Sequence, residues 1–175
     1  MKSTIQSWLP RLHLNSLVII IFLLFSTSNI GCASRTPTYG FKDEHFTQFI
    51  ISYQKEAAKF ATINQFALAN DIYTLEIKFA PGRTKTELGY FYRDYHNRMI
   101  VINEDTFFQL EYNAQEQLMM HELTHALFHA KHNNEMLPSG CGKSIMHQYH
   151  QGKCYNETTR EKYLKQLFEH DIFIL

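Results

Sequence analysis

His121-Glu122-Leu123-Thr124-His125 sets two imidazoles four residues apart with a carboxylate beside the first. On a helix that spacing stacks both rings on one face, about 6 Å apart along the axis, so both can grip one ion. A helix is expected there for a local reason as well. Asn113 with Glu116 three places on has the spacing of a capping box, and neither proline nor glycine interrupts the next twenty positions. The alternative is a pair of helical histidines lining a polar face. With a metal bound, Glu122 is placed to take a proton from a water that the ion has acidified.

A catalytic zinc commonly takes three protein ligands and keeps one position open. Candidates for the third are His129, His132 and a later glutamate, Glu157 or Glu161. His129 lies about 12 Å along a straight helix from His121, which places it on the surface or behind the ligands. His132 lies about 10 Å beyond His125 on a continued helix, so its ligation requires the helix to end near Phe128–Lys131. Asn133 or Asn134 is then the expected left-handed residue of the turn.

The chain has 175 residues, enough for one domain. Lys plus Arg and Asp plus Glu number 17 each, so nothing in the net charge points to the basic field that nucleic acid or an acidic membrane surface requires, and neither is an expected partner. Lys2 and Arg11 precede the apolar run Leu17 to Phe25. That run makes roughly 13 Å of helix against a hydrocarbon core of ~30 Å, so residues 1–31 read as a cleaved export signal rather than a membrane span. Ile30-Gly31-Cys32 resembles the lipobox of bacterial lipoproteins, which implies acylation of Cys32 and a membrane tether over residues 32–42. Asn29 departs from that pattern, so a soluble secreted protein is the alternative. Ala33, where an aspartate would favour the inner membrane, points to the outer membrane facing the periplasm. Export places Cys141 and Cys154 in an oxidising compartment, where they are expected to pair.

The folded domain is assigned to residues 43–175. Phe46, Phe49, Ile50, Tyr53, Ala57, Phe60, Ile63 and Phe66 recur at helical steps, giving one amphipathic helix from Asp43 to about Asn70. A strand is expected over Ile72–Ala80, and a hairpin from Gly89–Tyr95 and Arg98–Asn103 around His96-Asn97. Tyr163, Leu164, Leu167 and Phe168 mark a last helix, expected to pack on the sheet. The fold class is therefore α+β, a small twisted sheet packed on long helices.

HELTHALFHAKHNN followed by Ser144-Ile145-Met146 resembles the metzincin clan of zinc peptidases, over about thirty residues. The metzincin pattern is HExxHxxGxxH; here Phe128 stands at the glycine, Lys131 at the third ligand, and the histidine comes one residue later. The chain is also similar to small bacterial exported metallopeptidase-like proteins with the later histidine and a downstream SIM. The resemblance implies a zincin-like fold, Zn2+ held by His121, His125 and His132, Glu122 as general base, and Met146 in a tight turn beneath the metal. It also makes Tyr149 a candidate donor to the reaction's oxyanion. The implied activity is peptide-bond hydrolysis by a monomeric endopeptidase acting on a peptide or protein. The alternative is a lipid-anchored zinc-binding protein without turnover.

Overall fold

A computed structural model describes Gly40 and residues 42–84, 86–95, 97–150 and 152–173. The expected leader, Cys32, Ala33 and most of the tether lie outside the described residues, as does His96. Among the described residues no helix is long and apolar enough to cross a membrane.

The first apolar periodicity forms a helix, but not one that runs to Asn70. After a 3-10 turn, Glu44–Phe46, helix α1 spans Thr47–Phe60 and buries Phe49, Ile50, Tyr53 and Ala57. Ala61 is then extended, with φ −122° and ψ 141°. The Asn64 side chain accepts from the N–H groups of Phe66 and Ala67, capping a second helix, α2, Gln65–Thr74. Ile63 and Phe66 keep the helical spacing across the break, which is why the two helices read as one. Phe66 is 84% exposed, so it is no part of the core.

Because α2 runs to Thr74, strand β1 is Glu76–Phe79 and begins four residues later than the alternation predicts. Strands β2, Gly89–Arg93, and β3, Arg98–Ile102, form the expected antiparallel hairpin, with Gly89 opposite Ile102 and Arg93 opposite Arg98. β1 pairs parallel to β3, Glu76 opposite Met99, so the sheet order is β1-β3-β2 among the described residues. Lys42 bridges to Ile77, and Gly40 N–H donates to Tyr73 O, so this end of the expected tether covers the outer edge of β1.

A short helix, α3, Glu104–Phe107, leads into the long helix α4, Tyr112–Phe128. The cap of α4 is Glu111, not Asn113, and Glu116 makes no capping bond. Its carboxylate instead accepts from Arg160 Nε at 2.7 Å, Ser52 Oγ at 2.8 Å and Tyr155 Oη at 2.8 Å. Burial runs around α4, taking in Gln117, Met119, Met120, Glu122, Leu123 and Thr124. It is the central helix, packed across β2 and β3 on one side and α1 on another.

The last helix, α5, Arg160–Glu169, buries Tyr163, Leu164, Leu167 and Phe168 as its periodicity predicts. It packs chiefly on α1 rather than on the sheet, with Phe168 edge-on to Tyr53 at 5.1 Å. A 3-10 turn, Asp171–Phe173, follows. Cys141 and Cys154 form a disulfide across the irregular segment between α4 and α5.

Candidate metal centre

Helix α4 carries His121, Glu122 and His125, and its end determines whether His132 can join them. The helix stops at Phe128, and His129 takes the left-handed conformation, φ 56° and ψ 23°, with its N–H on His125 O. The left-handed residue is thus His129, neither Asn133 nor Asn134. Arg93 Nη1 donates to His129 Nε2 at 3.0 Å, and Arg98 Nη2 donates to Ala126 O at 2.7 Å, satisfying a carbonyl at the helix end. The chain therefore turns back one residue after the helix.

That reversal brings three imidazoles together. His125 Nε2 lies 2.9 Å from His121 Nε2 and 3.1 Å from His132 Nε2. The ligand atoms of all three lie within 4.8 Å of one another. His121 Nδ1 donates to Ile145 O at 2.8 Å, and His125 Nδ1 donates to Ala130 O at 2.6 Å. A carbonyl only accepts, so both Nδ1 atoms carry the proton and both Nε2 atoms present lone pairs. Converging lone pairs repel each other and suit a cation between them. Two nitrogens at ~2.0–2.1 Å from one tetrahedral zinc stand about 3.3 Å apart, close to these spacings. The donor set fits Zn2+.

Burial, the neighbouring His125, and more weakly His132 and His150, push His121 down to about 3 against the opposing Ile145 carbonyl. Burial likewise lowers His125 and His132. The three rings are therefore neutral at pH 7, the form that binds metal. Burial pushes Glu122 up to about 8, with the Glu87 charge adding and the Arg83 charge opposing. A cation beside it would favour the carboxylate form.

The histidines line a cleft of about 690 Å³ walled by α4, β2 and the 145–150 segment. Gly89 lets β2 lie against Glu122: a Cβ there would meet Ile102 Cδ1 at 2.8 Å and Glu122 Cγ at 3.5 Å. The ladder bonds Asn103 N to Leu88 O and Asp94 N to Asn97 O turn residues 88, 90, 92 and 94 toward β3. By alternation the main-chain groups of Gly89, Phe91 and Arg93 face outward. Among the described residues nothing bonds to them, so β2 is an open edge on the cleft.

The other expected residues fall in different places. His129 is exposed, bonded to Arg93, and lines the cleft without joining the three-histidine cluster. Glu161 pairs with Lys59 on the surface, and neither it nor Glu157 lines the cleft. Tyr149 lines the cleft while 68% exposed. Met146 is fully buried in the turn after Ser144, whose Oγ accepts the Met146 N–H at 2.8 Å.

Gln117 was not singled out from the sequence. It lies one turn before His121 on the same face, is 2% exposed, lines the cleft, and its Oε1 has no donor among the described residues. The i, i+4, i+8 series 117, 121, 125 was the signal that marks it. The Arg83–Glu87 pair, with Arg83 4.2 Å over the Tyr90 ring, forms another wall and had no such signal. Comparison with family models, curated proteins and solved structures gave no match for this chain.

Proposed function

We propose that this chain is a zinc-dependent peptidase of metzincin type, with a zincin-like fold. The observation that carries the reading is the convergence of three Nε2 atoms beside Glu122 in a cleft edged by an open strand. The departure from HExxHxxGxxH has a simple geometric account. The helix runs one residue longer, the turn residue moves from 128 to 129, and the third histidine moves from 131 to 132. The three-residue step from turn to ligand is unchanged.

His121, His125 and His132 would hold the ion, which when bound polarises a carbonyl and acidifies water. Glu122 takes the proton of the attacking water and delivers it to the leaving amine. The outward N–H and C=O groups of Gly89 and Phe91 hold an extended peptide by strand addition. Ile145 O and Ala130 O keep the ring tautomers that leave Nε2 free for metal.

Retention of Glu122 in the cleft, with Oε2 unpartnered among the described residues, favours an enzyme over a silent zinc-binding protein. Binding metal needs the histidines and not the base. Export and a lipid anchor at Cys32 complete the proposal, resting on the amino-terminal sequence.

Zinc content of the full chain, with a fluorogenic peptide library, tests the function. One zinc per chain, retained in Glu122→Gln and His129→Ala and lost in His132→Ala, with chelator-sensitive cleavage absent from Glu122→Gln, is the expected result. A wild type that holds no zinc ends the reading. Zinc without any cleavage would leave the binding protein.

A further inference from the structure

We infer that Asp171, fifty positions from the first histidine of the cluster, is a positioning residue that sets both His121 and His132 from one buried carboxylate. The inference rests on the metal-site reading above. Asp171 is fully buried in the turn after α5. Ser144 Oγ donates to its Oδ2, Asn133 Nδ2 donates to Oδ1 at 3.1 Å, and Gln166 Nε2 donates to Oδ1 at 3.4 Å. These partners all offer donors, which an ionised carboxylate can accept at every lone pair.

Two of those donors belong to separate segments of the site. Asn133 directly follows His132, so its anchorage fixes where the third imidazole enters. Ser144 opens the turn whose next carbonyl, Ile145 O, receives His121 Nδ1–H. The same Ser144 hydroxyl accepts from Met146 N–H, which aims that carbonyl. Asn133 N–H donates to Met146 O at 2.9 Å, tying the two segments together. A buried carboxylate is costly to desolvate, and an apolar side chain would pack the C-terminal turn without that cost. What the carboxylate adds is a common origin for both loops.

The asparagine variant replaces one acceptor oxygen by a donor, so Asp171→Asn sets a donor against Ser144, Asn133 or Gln166. Ser144→Ala breaks the same relay from its other end. Leu167→Ala loosens the buried face of α5 through packing alone and serves as the comparison. In the full chain, three readouts are taken: Zn2+ affinity by competition with a chromophoric chelator, the Co2+ absorption spectrum, and the hydrogen-bonded His121 Nδ1–H proton resonance of metal-free protein.

Asp171→Asn and Ser144→Ala are expected to weaken Zn2+ by about 10–100-fold, alter the Co2+ spectrum and shift or broaden the His121 resonance. Leu167→Ala is expected to lower Tm and leave all three readouts at wild type. Zn2+ affinity within about twofold of wild type in both relay variants, with the His121 resonance unmoved, overturns the inference. If Asp171→Asn does not fold, Ser144→Ala decides alone. A wild type that binds no Zn2+ refutes the metal reading, and the His121 resonance still reports whether Asp171 orients that ring.

Discussion

Arg93 donates to the imidazole of His129 across 3.0 Å, and His129 is the described non-glycine residue held at positive φ. The turn that returns the chain to His132 is therefore secured by a cation from β2, the strand that edges the cleft. Partial desolvation and the charges of Arg93 and Arg98 hold His129 below its usual range, which keeps Nε2 an acceptor.

Left-handed backbone costs a residue with a Cβ about 1 kcal/mol relative to glycine. His129→Ala and His129→Gly both lose the Arg93 bond, but only glycine relaxes the turn. Thermal unfolding should rank the glycine variant above the alanine variant by about that amount, with zinc stoichiometry equal in both. Alanine as stable as glycine would mean that the turn relaxes out of the left-handed region.

Among the described residues the buried Oε1 of Gln117 has no donor, a state that costs about 1–3 kcal/mol. Gln117→Leu fills similar space without the orphan and should raise the stability of the metal-free protein. On the peptidase proposed above, the same change should lower kcat/KM on peptides and shift their ranking toward apolar side chains, because Gln117 lines the cleft that would take the substrate. A variant that gains stability and keeps wild-type selectivity would make Gln117 a passive wall.

The Glu116–Arg160 pair predicts a pH signature. Burial works to raise Glu116, but the bonds from Arg160, Ser52 and Tyr155 and the Arg160 charge outweigh it and hold the group below its usual range. The unfolded chain therefore takes up that proton first as pH falls, so the contribution is full above pH about 4.5 and is lost as pH drops through the lower folded value. Glu116→Gln should cost about 3 kcal/mol at pH 7. The gap in Tm between wild type and variant should stay level from pH 8 to about 5 and close below. A gap independent of pH would assign the loss to packing.

The readable parts of this molecule are those written in short-range spacing. The hairpin around Asn97 and the buried face of α5 follow from local patterning, and the helix bearing His121 and His125 from a run that neither proline nor glycine interrupts. So does the demand that the helix end near Phe128 if His132 is to return. The misread parts depend on distant partners. Glu116 has the spacing of a capping box, yet its carboxylate is engaged by Arg160, 44 residues away. Asp171 carries no signal in the sequence, because two of its three partners, Ser144 and Asn133, lie 27 and 38 residues off. The break between α1 and α2 was legible in principle, since Asn64 is a strong cap, but the apolar spacing ran through it.

The Cys141–Cys154 bond gives the protein an order of maturation. His121 and His125 arise with α4 from neighbouring residues, while Ile145, Met146 and Tyr149 sit in a stretch without regular structure, inside the ring that the disulfide closes. Helix propensity alone does not hold that stretch, and closing a loop restricts the unfolded chain most where nothing else does. A chain kept reduced would form the two helical histidines and lack a fixed carbonyl for the first of them. If the chain is exported and binds metal as proposed, assembly of the centre would be coupled to arrival in an oxidising compartment, and recombinant material made in a reducing cytosol would carry the three histidines without their support.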